Sequence, residues 1–95
     1  MEERDETLER ANLGVEAESF LVSPLGRHIQ ARAEAEIDEA VVLLIDADPE
    51  DVKLGRSIRF KIEVAQGILT WLAEAVNDGR QAALELRQQD DSQTG

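Results

Sequence analysis

The residues with chemical potential in this chain are a single histidine and a dense run of carboxylates. His28 stands beside Arg27 and four places before Arg32. Nucleophilic catalysis needs a hydroxyl or thiol activated by a base within reach. His28 has neither a Gly-x-Ser-x-Gly motif nor any cysteine to work with, so a half-exposed helix residue is the plainer reading. Glu34, Glu36, Asp38 and Glu39 invite a di-metal reading, but carboxylate-bridged metal bundles use Glu-x-x-His pairs on facing helices. No acidic residue here is followed three places later by histidine. Asp46, Asp48 and Glu50 imitate the alternating acids that open a calcium loop, yet the sixth position is Asp51 where glycine is required and the twelfth is Ser57 where glutamate closes the site. Helix capping accounts for the same residues. The expectation is therefore a protein that is not an enzyme, with no catalytic residue, no metal site, no cofactor and no small-molecule substrate.

Charge is the next signal. From residue 34 to residue 51 there are eight acids, Glu34, Glu36, Asp38, Glu39, Asp46, Asp48, Glu50 and Asp51, and no lysine or arginine. Such a block either keeps an alanine-rich helical protein in solution or imitates the phosphate run of DNA and docks on a basic groove. Lys53, Arg56, Arg59 and Lys61 follow at once and can neutralise part of it. With a formal net charge of −11, long-range repulsion argues against direct nucleic-acid binding and against an anionic membrane. The basic cluster also lacks the interleaved aromatics expected of a single-strand binder. No apolar run approaches the length of about 20 residues that crosses a bilayer, and MEERDETLER has no apolar signal segment, so membrane insertion and export are not expected.

The elements that position these groups read as helices. The chain has 95 residues, 42% hydrophobic but only 3% aromatic, which favours a helical core of Ala, Leu, Ile and Val. A domain of this size buries only roughly 60% of its unfolded surface. The longest apolar pattern starts after Asp48. Ile58, Ile62, Ala65, Leu69, Leu72 and Val76 recur at helical spacing on one stripe. Phe60, Val64, Ile68, Trp71 and Ala75 form a second stripe roughly 120° round the same helix, so apolar residues cover about half its circumference. One neighbouring helix cannot cover both. The second stripe is the expected partner-binding surface, with Phe60 and Trp71 as its anchors.

Upstream, Ser23-Pro24 signals a helix start, since serine accepts from a free amide and proline at the first position loses no needed donor. Leu25, Ile29, Ala33, Ile37, Ala40, Val41, Leu44 and Ile45 then mark an amphipathic helix over 24–46. Asp48-Pro49 stops it and starts the next, with Asp48 as cap. The short connection makes the two helices antiparallel neighbours. Val15, Phe20, Leu21 and Val22 mark a short helix over 15–22, expected as a lid over part of the second stripe of the long helix. Residues 1–13 carry too little apolar surface to offset the entropy of ordering, and are expected to be a disordered acidic tail. Residues 14–88 form the helical domain and 89–95 a second disordered tail. Asn77-Asp78-Gly79 offers a C-cap or a kink, but the pattern resumes with Ala82, Ala83, Leu84 and Leu86, so the long helix is expected to run from residue 49 through Gly79 to about residue 88.

At FLVSPLGRHIQARAEAEIDEA and again at ILTWLAEAVNDGRQAALEL, the chain resembles a group of small uncharacterised tailed-bacteriophage proteins. Their shared features are a phenylalanine-led short segment, a Ser-Pro-x-Gly-Arg start, an alanine and glutamate helix, a Asp-Pro-Glu-Asp turn and a terminal Trp-Leu-Ala-Glu-Ala helix. The likeness covers roughly residues 15–88. It implies a role in virion head assembly or DNA packaging, beside head and packaging genes, and a location in the host cytoplasm or the virion. No functional residue carries over from it.

The combined expectation is an all-α fold, an antiparallel helical hairpin with a short N-terminal helix as lid and a long C-terminal helix. Its expected action is protein–protein binding, to a protein partner or as a homo-oligomer. The alternative is an acidic inhibitor of a host nucleic-acid-binding machine.

Overall fold

A computed structural model describes the backbone of residues 2–94 and the side chains of residues 2–91. Three helices account for nearly all of it: α1 (Glu2–Val22), α2 (Pro24–Asp46) and α3 (Val52–Thr94), with no strand among the described residues. The all-α class and the long C-terminal helix agree with the sequence reading. The chain divides into two compact units, one of residues 24–71 and one of residues 1–23 with 72–95.

In the first unit α2 packs antiparallel on the N-terminal part of α3, as the short connection requires. Gly26, Ala33 and Ala40, seven residues apart, are the buried positions of α2, and Gln30, Ile37 and Leu44 between them are half-buried. This 3-4 alternation is the heptad seam of a coiled coil, with small residues in every other place. Against it lie Ile58 and Ala65, both buried, with Ile62 and Leu69 half-buried. They are the first four residues of the first predicted stripe of α3, whose last two, Leu72 and Val76, belong to the second unit.

The turn differs in detail from the expectation. Asp48 does not cap a helix beginning at Pro49. Its carboxylate accepts from the Glu50 amide at 2.9 Å and its carbonyl from the Asp51 amide at 3.0 Å, closing a turn with Pro49 inside it. Asp51 is the cap of α3, accepting from the Leu54 amide at 3.2 Å.

In the second unit α1 packs antiparallel on the C-terminal part of α3. Residues 2–13, expected to be a tail, are the first half of α1. They are held by close backbone packing and ion pairs, not by large apolar side chains. Thr7 and Gly14, seven apart, and Ala17 are buried, facing Val76, Gly79 and Ala82. Thr7 satisfies its buried hydroxyl by donating to the Glu3 carbonyl at 2.7 Å. The C-terminal tail expected from residue 89 is likewise helical through Thr94, and Arg4 pairs with Asp90 at 3.1 Å. The tail ends, Met1 and Gly95, lie outside the described residues.

Gly79 neither caps nor kinks α3, which passes through it with no positive φ. Gly79 is the point of closest approach to α1. A methyl placed on it would stand 2.5 Å from the Gly14 Cα, and one placed on Gly14 would stand 2.6 Å from the Gly79 Cα. Two glycines are required because neither backbone leaves room for a Cβ on the other.

Candidate protein-binding surface

The second stripe of α3 is uncovered along the unit it shares with α2. Phe60 is 66% exposed, Val64 51%, Ile68 37% and Trp71 70%. Helical periodicity explains why: α2 covers the arc of Ile58, Ile62, Ala65 and Leu69, and the second stripe lies roughly 120° away from it. Trp71 leans back along its own helix, with Cζ2 at 3.9 Å from the position of a Cβ on Gly67, the usual direction for a long helical side chain. Beside the stripe, Ile29, Ala33, Val64, Ala65 and Ile68 line an open, mostly apolar groove of about 320 Å³, with His28, Arg32 and Glu36 on its rim.

Ala75, the fifth residue assigned to this surface, belongs elsewhere. It is half-buried, and its carbonyl oxygen would lie 3.1 Å from a Cβ on Gly14, so its backbone lies against α1. The exposed set is Phe60, Val64, Ile68 and Trp71. Sequence projection placed Ala75 on the stripe because it could not show where α1 lies.

The eight carboxylates of the alternative surface, Glu34, Glu36, Asp38, Glu39, Asp46, Asp48, Glu50 and Asp51, are all exposed. Three of them have local duties. Glu36 accepts from Arg32 at 3.0 Å one turn away, while Asp48 and Asp51 accept backbone amides in the turn. His28 is exposed on the groove rim. No group of three or more His, Cys, Asp or Glu among the described residues is placed to hold a metal ion. No described helix is long and apolar enough to cross a membrane.

Charge is organised differently where α1 meets α3. Arg10 donates through Nη2 to Asp78 Oδ1 at 2.7 Å and through Nε to Asp78 Oδ2 at 3.0 Å, and reaches Glu85 through Nη1 at 3.5 Å. This fork holds the Asp78 carboxyl below the usual carboxylate range, chiefly through its hydrogen bonds from Arg10, and raises the Arg10 guanidinium through the same bonds. Arg80 donates to Glu18 at 2.8 Å. Sequence reading did not find this contact. Its signals were present as small residues seven apart in α1, and as Arg4 and Arg10 on a helix whose partner carries Asp78, Glu85 and Asp90.

Compared with protein-family models, curated proteins and solved structures, the chain matches none.

Proposed function

We propose that this chain is a non-enzymatic protein that acts by protein–protein binding, self-assembly first among its forms, through Phe60, Val64, Ile68 and Trp71. The observation that carries the reading is the exposure of these four apolar side chains in one row on one helix, with the largest, Trp71, 70% accessible. Single exposed apolar residues are ordinary, but a contiguous row with two aromatics is the composition of an interface centre. The resemblance to small tailed-bacteriophage proteins supplies the setting, virion head assembly or DNA packaging.

Trp71 is the only tryptophan and there is no tyrosine, so its emission reports on this surface alone. Self-assembly predicts a mass above one chain in light scattering at high micromolar concentration. It also predicts a blue-shifted Trp71 emission that moves to the red on dilution, and a monomer after Trp71→Asp. A single-chain mass that Trp71→Asp leaves unchanged, with red emission at every concentration, would rule out self-association.

The second reading, an acidic inhibitor of a host nucleic-acid-binding machine, is favoured by the exposure of all eight carboxylates between Glu34 and Asp51. Neutralising Glu34, Glu36, Asp38 and Glu39 together abolishes binding to such a machine and spares self-assembly. The first reading expects the reverse.

A further inference from the structure

We infer that the occupant of the exposed stripe is the same stripe of a second copy of this chain, laid antiparallel about a two-fold axis that passes between Val64 and Gly67. The inference rests on the reading of that stripe as a protein-binding surface and gives it a partner and a geometry.

The first observation is spacing. Between Phe60 and Trp71, Val64 stands four residues from one end and Gly67 four from the other. Reversing the helix direction therefore maps Phe60 onto Trp71 and Val64 onto Gly67, and sets Ile68 beside the aliphatic stem of the partner's Glu63 at the edge of the contact. An isologous contact needs this property, since whatever residue i meets on the partner must meet residue i in return. Each Phe60 then stacks against the partner's Trp71, giving two aromatic pairs per dimer.

The second observation is Gly67 itself. A Cβ there would meet only Trp71 Cζ2, at 3.9 Å, an ordinary contact. Unlike Gly14 and Gly79, it has no neighbour in its own chain that requires glycine, and glycine inside a helix is unfavourable. A position at the centre of a helix crossing is where the absence of a side chain brings two backbones together.

Charge is the third. Residues 53–61 hold Lys53, Arg56, Arg59 and Lys61 and no acid in a chain of net charge −11, and Asp48 and Asp51 line the same groove as Arg56 and Arg59 and offset part of their charge. Antiparallel pairing about the same axis sets the partner's Glu74 between Arg56 and Arg59. Two copies that repel elsewhere attract along this line.

The chain has no cysteine, so single-cysteine variants of the full chain read the geometry directly. Val64→Cys lies beside the axis and is joined to its copy by a short bis-maleimide. Ser57→Cys stands about 25 Å from its copy across the axis and is not joined. Gly67→Leu lowers the association constant about tenfold or more while helical content stays at the wild-type level. A dimer in which Ser57→Cys crosslinks as readily as Val64→Cys is parallel, and overturns the two-fold antiparallel geometry while the self-assembly reading stands. An assembly larger than a dimer that Gly67→Leu does not weaken overturns it as well. A single-chain mass for the wild type overturns both.

Discussion

The two helix pairs cover different parts of α3 with different chemistry. Where α2 lies on α3, the seam is aliphatic, with Ile58 and Ala65 against Ala33 and Ala40, and the outer face keeps Phe60, Val64, Ile68 and Trp71 in the open. Where α1 lies on α3, the seam is built from Gly14, Ala17, Gly79 and Ala82. It is edged by Arg4–Asp90, Arg10–Asp78, Arg10–Glu85 and Arg80–Glu18. Among the described residues, every ion pair that joins two helices belongs to this second seam. One pair is held by shape and charge at close range, the other by periodic apolar burial, and each leaves large apolar side chains open, Leu13, Val15 and Leu84 in the one and Phe60, Val64 and Trp71 in the other. The lesson is that small residues edged by ion pairs hold a helix pair together without large apolar side chains in the seam, while an aliphatic seam is held by burial alone.

The change that separates the two seams most sharply is Gly79→Leu. A side chain there meets the Gly14 Cα at its first carbon, so α1 must move off α3. The expected cost is about 3 kcal/mol or more, with loss of amide protection along α1 in hydrogen exchange while α2 keeps its own. The control is Gly55→Ala, where an added Cβ meets nothing within 4 Å. That variant gains about 0.5 to 1 kcal/mol from helix propensity alone, read as a higher melting temperature. Equal effects from the two glycines would erase the distinction.

Ile58→Ala tests the aliphatic seam. Ile58 is buried to 4% exposure, and truncating such a side chain costs about 2 to 4 kcal/mol, measured by urea unfolding. Its expected signature is reduced protection of α2, the mirror of the Gly79→Leu result.

The smallest effect is electrostatic. Asp78 has a folded-state pKa below its unfolded value because Arg10 hydrogen-bonds its charged form. The sign is that of a depressed acid: the ion pair contributes stability above the unfolded pKa of about 3.9, and that contribution is lost as pH falls through the lower folded value. Arg10→Gln therefore destabilises slightly at pH 7, and the difference from wild type closes below the ordinary aspartate range. A difference that persists unchanged into strong acid would show that Arg10 acts by packing alone.

Much of the α2 and α3 pairing was legible because large apolar residues declare a face by their spacing. Ile58, Ile62, Ala65 and Leu69 fell on one stripe by counting alone, and the structure buries or half-buries each of them. The row of Phe60, Val64, Ile68 and Trp71 was separable from it for the same reason. Residues 2–13 were not legible, since a charged segment whose large apolar side chains are Leu8 and Leu13 carries no such declaration, and both are exposed.

By itself, the sequence determined which residues are helical over most of the chain, where the hairpin turns, and which stripe α2 covers. All of these follow from local dihedral preference and a 3.6-residue repeat. Only the tertiary structure decided that α1 begins at Glu2, that the backbone at Ala75 lies against α1, and that Gly79 is the contact point of two helices. A glycine at a crossing and an arginine in a fork acquire meaning from what stands opposite them, and spacing along one helix does not carry that information.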